Sequence, residues 1–419
     1  MIAALLHLGQ LLVLVALATL VVMQLSNYPF VVLFLILLVY VGDSLYLLKA
    51  PVISLGSLTL YAVDLATGLA FAAGLLRLLR GANKLRAAYL WAAVVFAAAL
   101  LISAYRGVDA FGVQTVGNNS RPFFYFVATL ILGASVPADD DNLRSFFRLW
   151  LIAGWVLIAI ALVRWALVAS GQMYNPDWLS SSGVDVRVLD SSQTLFLLQV
   201  VVIAWYLKRS GIERWFVRLV PFVFIPAIVA MQQRTVWVIL LVSVVLLLMF
   251  ERKARGRIVV SLLALVIIAS VIFTFDRGSR SSYSSLEGSA QNTQTLTWRM
   301  EGWAALFSTA SSFGPVDYVI GQPMGTGYDR YLPGGGSVVT ASPHDYYLQV
   351  FLMLGSVGIL VVVGIFFDVT RNLLRADPSD SIARAFFFLT IAYIIFFITY
   401  APIYQDGFVM GLTRIPPAQ

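Results

Sequence analysis

Long apolar runs alternate with short polar ones along most of the chain. The runs lie near residues 2–23, 29–42, 58–79, 86–104, 122–137, 147–169, 192–207, 219–232, 235–250, 258–275, 346–367 and 384–400. A helix crossing a bilayer needs about 20 apolar residues, so the pattern predicts about twelve transmembrane helices, several of them short. The first run, Ile2 to Met23, lacks a basic n-region and reads as a span rather than a cleavable signal. The segment Asp43 to Leu58 reads as a break or a re-entrant piece. One polar stretch stands out by its length, Asp276 to Pro343. The chain therefore divides into a transmembrane bundle of about ten helices over 1–275, an outer loop over 276–345, and C-terminal helices with a tail over 346–419. The expected fold class is an all-α polytopic membrane protein.

The long loop has internal pattern. Gly278 to Thr295 is rich in Ser, Gly, Asn and Gln, whereas Leu296, Met300, Trp303, Ala304 and Phe307 recur at helical spacing. That periodicity predicts an amphipathic helix lying on the outer leaflet or against the bundle.

Composition confirms the solvent. Hydrophobic residues make up 60% and charged residues 12% of the 419 residues, and the mean hydropathy is +0.87. Soluble domains carry about a quarter charged residues. Cysteine is absent, which excludes disulfides and thiolate metal sites. The net charge of +7 comes largely from short basic clusters and is no nucleic-acid signal. The clusters are Arg77, Arg80, Lys84 and Arg86; Lys208, Arg209, Arg214 and Arg218; Arg252, Lys253, Arg255 and Arg257; and Arg371, Arg375 and Arg384. All four fall on one side of the predicted topology, the cytoplasmic side by the positive-inside rule. The loops at 105–121, 170–191 and 276–345 then face outward.

Few residues have the chemistry for catalysis. The two histidines are His7, inside the first apolar run, and His344, where the long loop re-enters the membrane. With an ordinary pKa of about 6.5, an imidazole at a membrane–water boundary is placed for proton transfer. Arg234 lies in the short outward turn Gln232-Gln233-Arg234-Thr235, with no acidic residue in the turn to offset it. It snorkels to the interface or awaits an anionic ligand. Arg187 stands between Asp185 and Asp190, so an ion pair and a site role are both open. Arg164 lies near the outward end of its helix, and Arg299 flanks the amphipathic face. Guanidinium groups bind phosphate oxygens bidentately and stay charged, so several converging on one outward pocket suit a diphosphate. Asp345 follows His344 directly, but adjacent residues on a helix do not face each other. Asp64, inside an apolar run, caps a broken helix or lines a cavity. No set of carboxylates is spaced as a metal site.

The run Pro343-His344-Asp345-Tyr346-Tyr347-Leu348-Gln349, followed by Leu354-Gly355-Ser356-Val357-Gly358, resembles the signature of the bacterial O-antigen ligase and Wzy-type polysaccharide polymerase superfamily. The family pattern is a His-Asn-x-Tyr/Phe-Leu stretch leading into a Gly-x-x-Gly span, and Asp345 and Tyr346 depart from it. Trp298-Arg299-Met300-Glu301-Gly302-Trp303 is similar to the family's Arg-x-x-x-Trp helix, and Gly325-Thr326-Gly327 to its Gly-x-Gly turn. Gln233-Arg234-Thr235 is similar to its Ser-Arg-Thr/Gly position, and Arg187 to an arginine ahead of a further motif that here reads Asp190-Ser191-Ser192. The similarity covers about residues 185–365.

The resemblance implies a GT-C-like membrane glycosyltransferase of the bacterial inner membrane with its active site facing the periplasm. Its donor would be a glycan on undecaprenyl diphosphate. A polymerase passes the growing chain to a new lipid-linked repeat unit; a ligase passes the finished chain to lipid A–core. No cofactor, metal or nucleotide sugar is implied. Catalysis would fall to His344 as general base with Arg234 and Arg299, and binding of diphosphate or glycan to Arg187, Arg164, Asp345, Tyr346 and Tyr347. Tyr328 and Tyr331, like Tyr346 and Tyr347, stack on sugars or anchor at the interface. Expected partners are the lipid-linked donor, a glycan or lipid A–core acceptor, the bilayer, and a chain-length regulator or other export proteins; nucleic acid is not among them. A polymerase is the leading expectation and a ligase the next. A flippase for lipid-linked oligosaccharide would need cations lining both leaflets, whereas these arginines gather on one side.

Overall fold

The computed structural model describes residues 19–45, 53–55, 58–81, 87–173, 187–206, 213–250, 255–256, 259, 294–332, 337–377 and 380–413. The span expected at 258–275, most of that at 2–23, the stretch 278–293, Asp185 and the run Gly334–Gly336 lie outside them. The described residues form helices α1 (Thr19–Ser26), α2 (Pro29–Asp43), α3 (Ala62–Leu79), α4 (Ala87–Ala134), α5 (Asp140–Ala169), α6 (Ser191–Tyr206), α7 (Glu213–Ala230), α8 (Arg234–Phe250), α9 (Gln294–Ala310), α10 (Pro315–Ile320), α11 (Tyr346–Arg375), α12 (Ser381–Phe396) and α13 (Asp406–Leu412). Two short hairpins complete them, β1 (Ile53–Leu55) with β2 (Leu58–Leu60), and β3 (Arg330–Leu332) with β4 (Ser337–Val339).

The chain is an all-α membrane protein. Among the described residues, α3, most of α4, α5 and α11 are long and apolar enough to cross a membrane, and the bent pair α1–α2, at 108°, makes a fifth if it is one span. Of the twelve or so spans expected, four others appear as shorter apolar helices, α6, α7, α8 and α12. A 16-residue helix such as α6 rises about 24 Å, short of a hydrocarbon core of about 30 Å. Burial of α6 nearly all round shows that it packs as interior helix, with α7, α8 and α12 against it.

Two compact units divide the chain: residues 1–146, 322–326 and 402–414 in one, and 147–321, 327–401 and 415–419 in the other. In the first, α4 packs on α3 and α13, with glycines at the crossing. A Cβ at Gly133 would lie 2.3 Å from the Phe408 carbonyl oxygen, and one at Gly407 2.1 Å from that of Phe126. Small residues let backbones approach closely where lipid supplies no hydrophobic drive. The outward loop expected at 105–121 is helix instead, broken only at Gly112 (φ 77, ψ 159). Near its end Arg121 turns to a partner inside the protein, while Asp109, Gln114, Thr115 and Asn118 stay exposed. Arg121 Nε donates to Asp64 Oδ1 at 2.9 Å, and the Tyr125 hydroxyl also bonds Asp64. Asp64 in turn accepts from the Tyr61 amide at 2.7 Å, capping α3.

In the second unit, α11 is bent at Gly355 (φ 66, ψ −164), where the end of α10 packs against it. The loop helix α9 forms where its periodicity predicted, but its two faces differ. Leu296, Met300 and Phe307 are exposed, whereas Gly302, Leu306 and Ala310 turn inward, with Trp303 half-buried beside them.

Candidate functional site

The second unit gathers side chains from five separate segments around His344. The segment carrying His344 is tied down on both sides. Trp303 Nε1 on α9 donates to the Pro343 carbonyl at 2.8 Å, and Gln349 Nε2 donates to Ser342 Oγ at 2.6 Å. The Tyr346 amide donates to the Phe397 carbonyl at 2.8 Å. Asp345 Oδ1 accepts from the Leu348 amide at 2.9 Å, which makes Asp345 the N-cap of α11. His344 itself is left-handed, at φ 52.

Gln232, in the turn before α8, is also left-handed, at φ 54, and these two are the non-glycine residues with positive φ among those described. Such conformations cost roughly 1–3 kcal/mol each and persist where their surroundings impose them. At Gln232 the restraints are visible. Arg187 Nη2 donates to its carbonyl at 3.2 Å, and Ser191 Oγ donates to Gln233 Oε1 at 2.7 Å. This turn places Arg234 at the first position of α8.

Tyr400, just beyond α12, connects the parts. Its ring lies 6.2 Å from the His344 ring at 69° and stacks on Phe396 at 4.9 Å. Arg299 Cζ sits 5.0 Å over it, and Arg299 Nη2 donates to its hydroxyl at 3.3 Å. Thr399 Oγ1 is 3.1 Å from Thr235 Oγ1, which joins this turn to α8. Behind His344 stand Trp298, ring to ring at 6.5 Å, and Arg330, whose Cζ lies 5.5 Å over Trp298.

The electrostatics are those of a cation cluster, each charge working against its neighbours. Burial lowers the Arg187 pKa, and the charge of Arg234 lowers it further against an opposing pull from Tyr400. His344 falls from its ordinary 6.5 to about 4, first through burial and then through the charges of Arg299 and Arg330. The ordinary value expected from sequence is thus corrected: positive charges distant in sequence converge on the imidazole. Burial raises the Asp345 carboxyl, with the Leu348 and Tyr347 amides pulling the other way. The Nε–H groups of Arg187, Arg299 and Arg330 are buried and, among the described residues, meet no hydrogen-bond acceptor.

Four of the expected residues therefore come together, His344, Arg187, Arg234 and Arg299. Arg164 is buried in α5, at 2% exposure, and stands outside the contacts just described. Tyr346 is fully buried against Phe397, and the Tyr347 hydroxyl donates to the Ile394 carbonyl at 3.1 Å. Sequence reasoning missed Tyr400, which ends an apolar run like any belt tyrosine, and did not single out Arg330.

Residues 222–363, about a third of the chain, match the model of a family described as O-Antigen ligase. Arg234, Arg299, Arg330 and His344 lie inside the match, Arg187 and Tyr400 outside it. No curated protein matches the chain.

Proposed function

We propose, taking as support the match of residues 222–363 to the O-Antigen ligase family model, that this chain polymerises undecaprenyl-diphosphate-linked repeat units at the periplasmic face of the inner membrane. The observation that carries the reading is the convergence of Arg187, Arg234 and Arg299 beside a neutral imidazole, with buried Nε–H donors of Arg187 and Arg299 that meet no acceptor among the described residues. The acceptor hydroxyl oxygen attacks the anomeric carbon, the carbon–oxygen bond to the diphosphate breaks, and its electron pair stays on the diphosphate. The proton passes to His344. In-line attack inverts the anomeric centre. Negative charge grows on the leaving group, where fixed cations act most strongly. Asp345 and Tyr346 serve this site by holding the start of α11 rather than by touching sugar.

Arg299→Met is expected to lower kcat by about 10²–10³, the usual effect of deleting one oxyanion donor, and turnover of purified variant checks it. The pH profile should split. The imidazole must be neutral to accept a proton, so activity falls as pH drops through its folded pKa. In the free protein that is about 4, so the acid limb of kcat/KM belongs there rather than near 6.5. Bound diphosphate opposes the arginine charges and raises the imidazole, so the acid limb of kcat lies at higher pH.

Purified protein given a lipid-linked repeat unit, with and without lipid A–core, tests the reaction. A ladder from the lipid-linked unit alone means polymerase. Transfer only when core is present means ligase, the second reading, which the family's description favours. No glycosidic product in either mixture overturns both.

A further inference from the structure

Arg330 is 5% exposed, and its guanidinium has three kinds of contact. Nη1 donates to the Tyr328 carbonyl at 2.9 Å and to the Ala341 carbonyl at 2.8 Å, bridging the two ends of the β3–β4 hairpin. Ala341 begins the segment that carries His344. The same guanidinium stacks over Trp298, whose ring meets the imidazole. Its Nε lies against α9, where a Cβ at Gly302 would come within 2.7 Å, so the glycine between Glu301 and Trp303 leaves the room that seats the guanidinium.

We propose that Arg330 is a positioning residue for His344, clamping the loop base through the Tyr328 and Ala341 carbonyls and holding a fixed positive charge behind the Trp298 ring that faces the imidazole. It touches no substrate. The groups facing His344 are Arg299 and Trp298 from α9, Tyr400 from beyond α12 and Arg330 from β3; Asp345, next in the chain, turns its carboxylate to the start of α11. Of the two cations, Arg299 is also the candidate ligand of the diphosphate, so bound anion screens it. Arg330 is held by protein carbonyls, so its charge stays beside burial in holding the imidazole neutral when the anion arrives.

The inference rests on His344 being the base, but its test needs no turnover. The chain has two histidines, so NMR of the full protein labelled at histidine Cε1, in nanodiscs, resolves both, and His344 is the signal lost in His344→Asn. Arg330→Gln keeps an N–H donor for the carbonyls and removes the charge; it should raise the His344 midpoint by about one pH unit. Arg330→Lys, which keeps charge and donors, should titrate as the unaltered protein does. Gly302→Ala supplies a second route, since it displaces the guanidinium and should shift the midpoint upward, by less. An unmoved midpoint in Arg330→Gln, or equal shifts in Gln and Lys variants, overturns the role of Arg330 and leaves the base assignment standing. A fully active His344→Asn protein overturns the base assignment instead.

Discussion

Replacing His344 by asparagine is expected to cut the rate of glycan transfer by about 10²–10⁴, the usual worth of general-base help. Asparagine suits this test better than alanine, because His344 sits at φ 52 and asparagine tolerates the left-handed region. Arg187, Arg234 and Arg299 keep their places in the variant, so the donor should still bind and KM should change little. The acid limb of the pH profile should vanish with the imidazole. Steady-state kinetics on purified protein, with thermal unfolding as a control on the fold, checks all three. Transfer within tenfold of the unaltered protein would remove His344 from the chemistry. Parallel loss of donor binding would make it a ligand for the glycan lipid rather than a base.

Gly355→Ala is expected to prevent the second unit from folding, read as loss of protein from the membrane. At φ 66 and ψ −164 the backbone lies in a region reserved for glycine, at roughly 1–3 kcal/mol for any other residue. Crowding adds to that cost. A Cβ there would lie 2.3 Å from the Val319 carbonyl oxygen and 2.5 Å from the Gly321 amide nitrogen, all backbone atoms with little room to yield. Gly321 makes the reciprocal approach, its own Cβ position 2.3 Å from Met353 C, at φ 79. Alanine at Gly364, in the same helix and with open space around it, should accumulate normally. Equal abundance of Gly355→Ala and Gly364→Ala would mean that the bend in α11 is not required.

Sequence patterning located most of the helices because lipid selects for apolar length, and α5, α6, α8 and α12 fall close to where their runs predicted. It failed at 105–121, where polarity was read as exposure to water. Arg121 pairs with Asp64 inside the protein, and hydropathy cannot tell a solvated residue from a paired one. At the site, solitude marked His344 and the lack of a local counter-charge marked Arg234. Tyr400 carried no such mark. Its importance comes from touching Arg299 and His344, and those contacts depend on how distant segments meet. Periodicity likewise found α9 without saying which face looks inward. The exposed stripe is Leu296, Met300 and Phe307, while the site draws on Trp298, Arg299 and Trp303.

The hydrogen bond between Arg299 and Tyr400 spans 101 positions of sequence. A ribosome adding roughly 5–20 residues per second takes about 5–20 s to make that stretch. For that interval the chain holds Arg299, and for the later part of it His344 as well, without the ring that afterwards lies against both. The cations must stay hydrated as α11 and α12 emerge, and the site closes only when the turn after α12 has been made. Its assembly is therefore a late event of synthesis, set by the clock of translation rather than by the order in which the arginines enter the membrane.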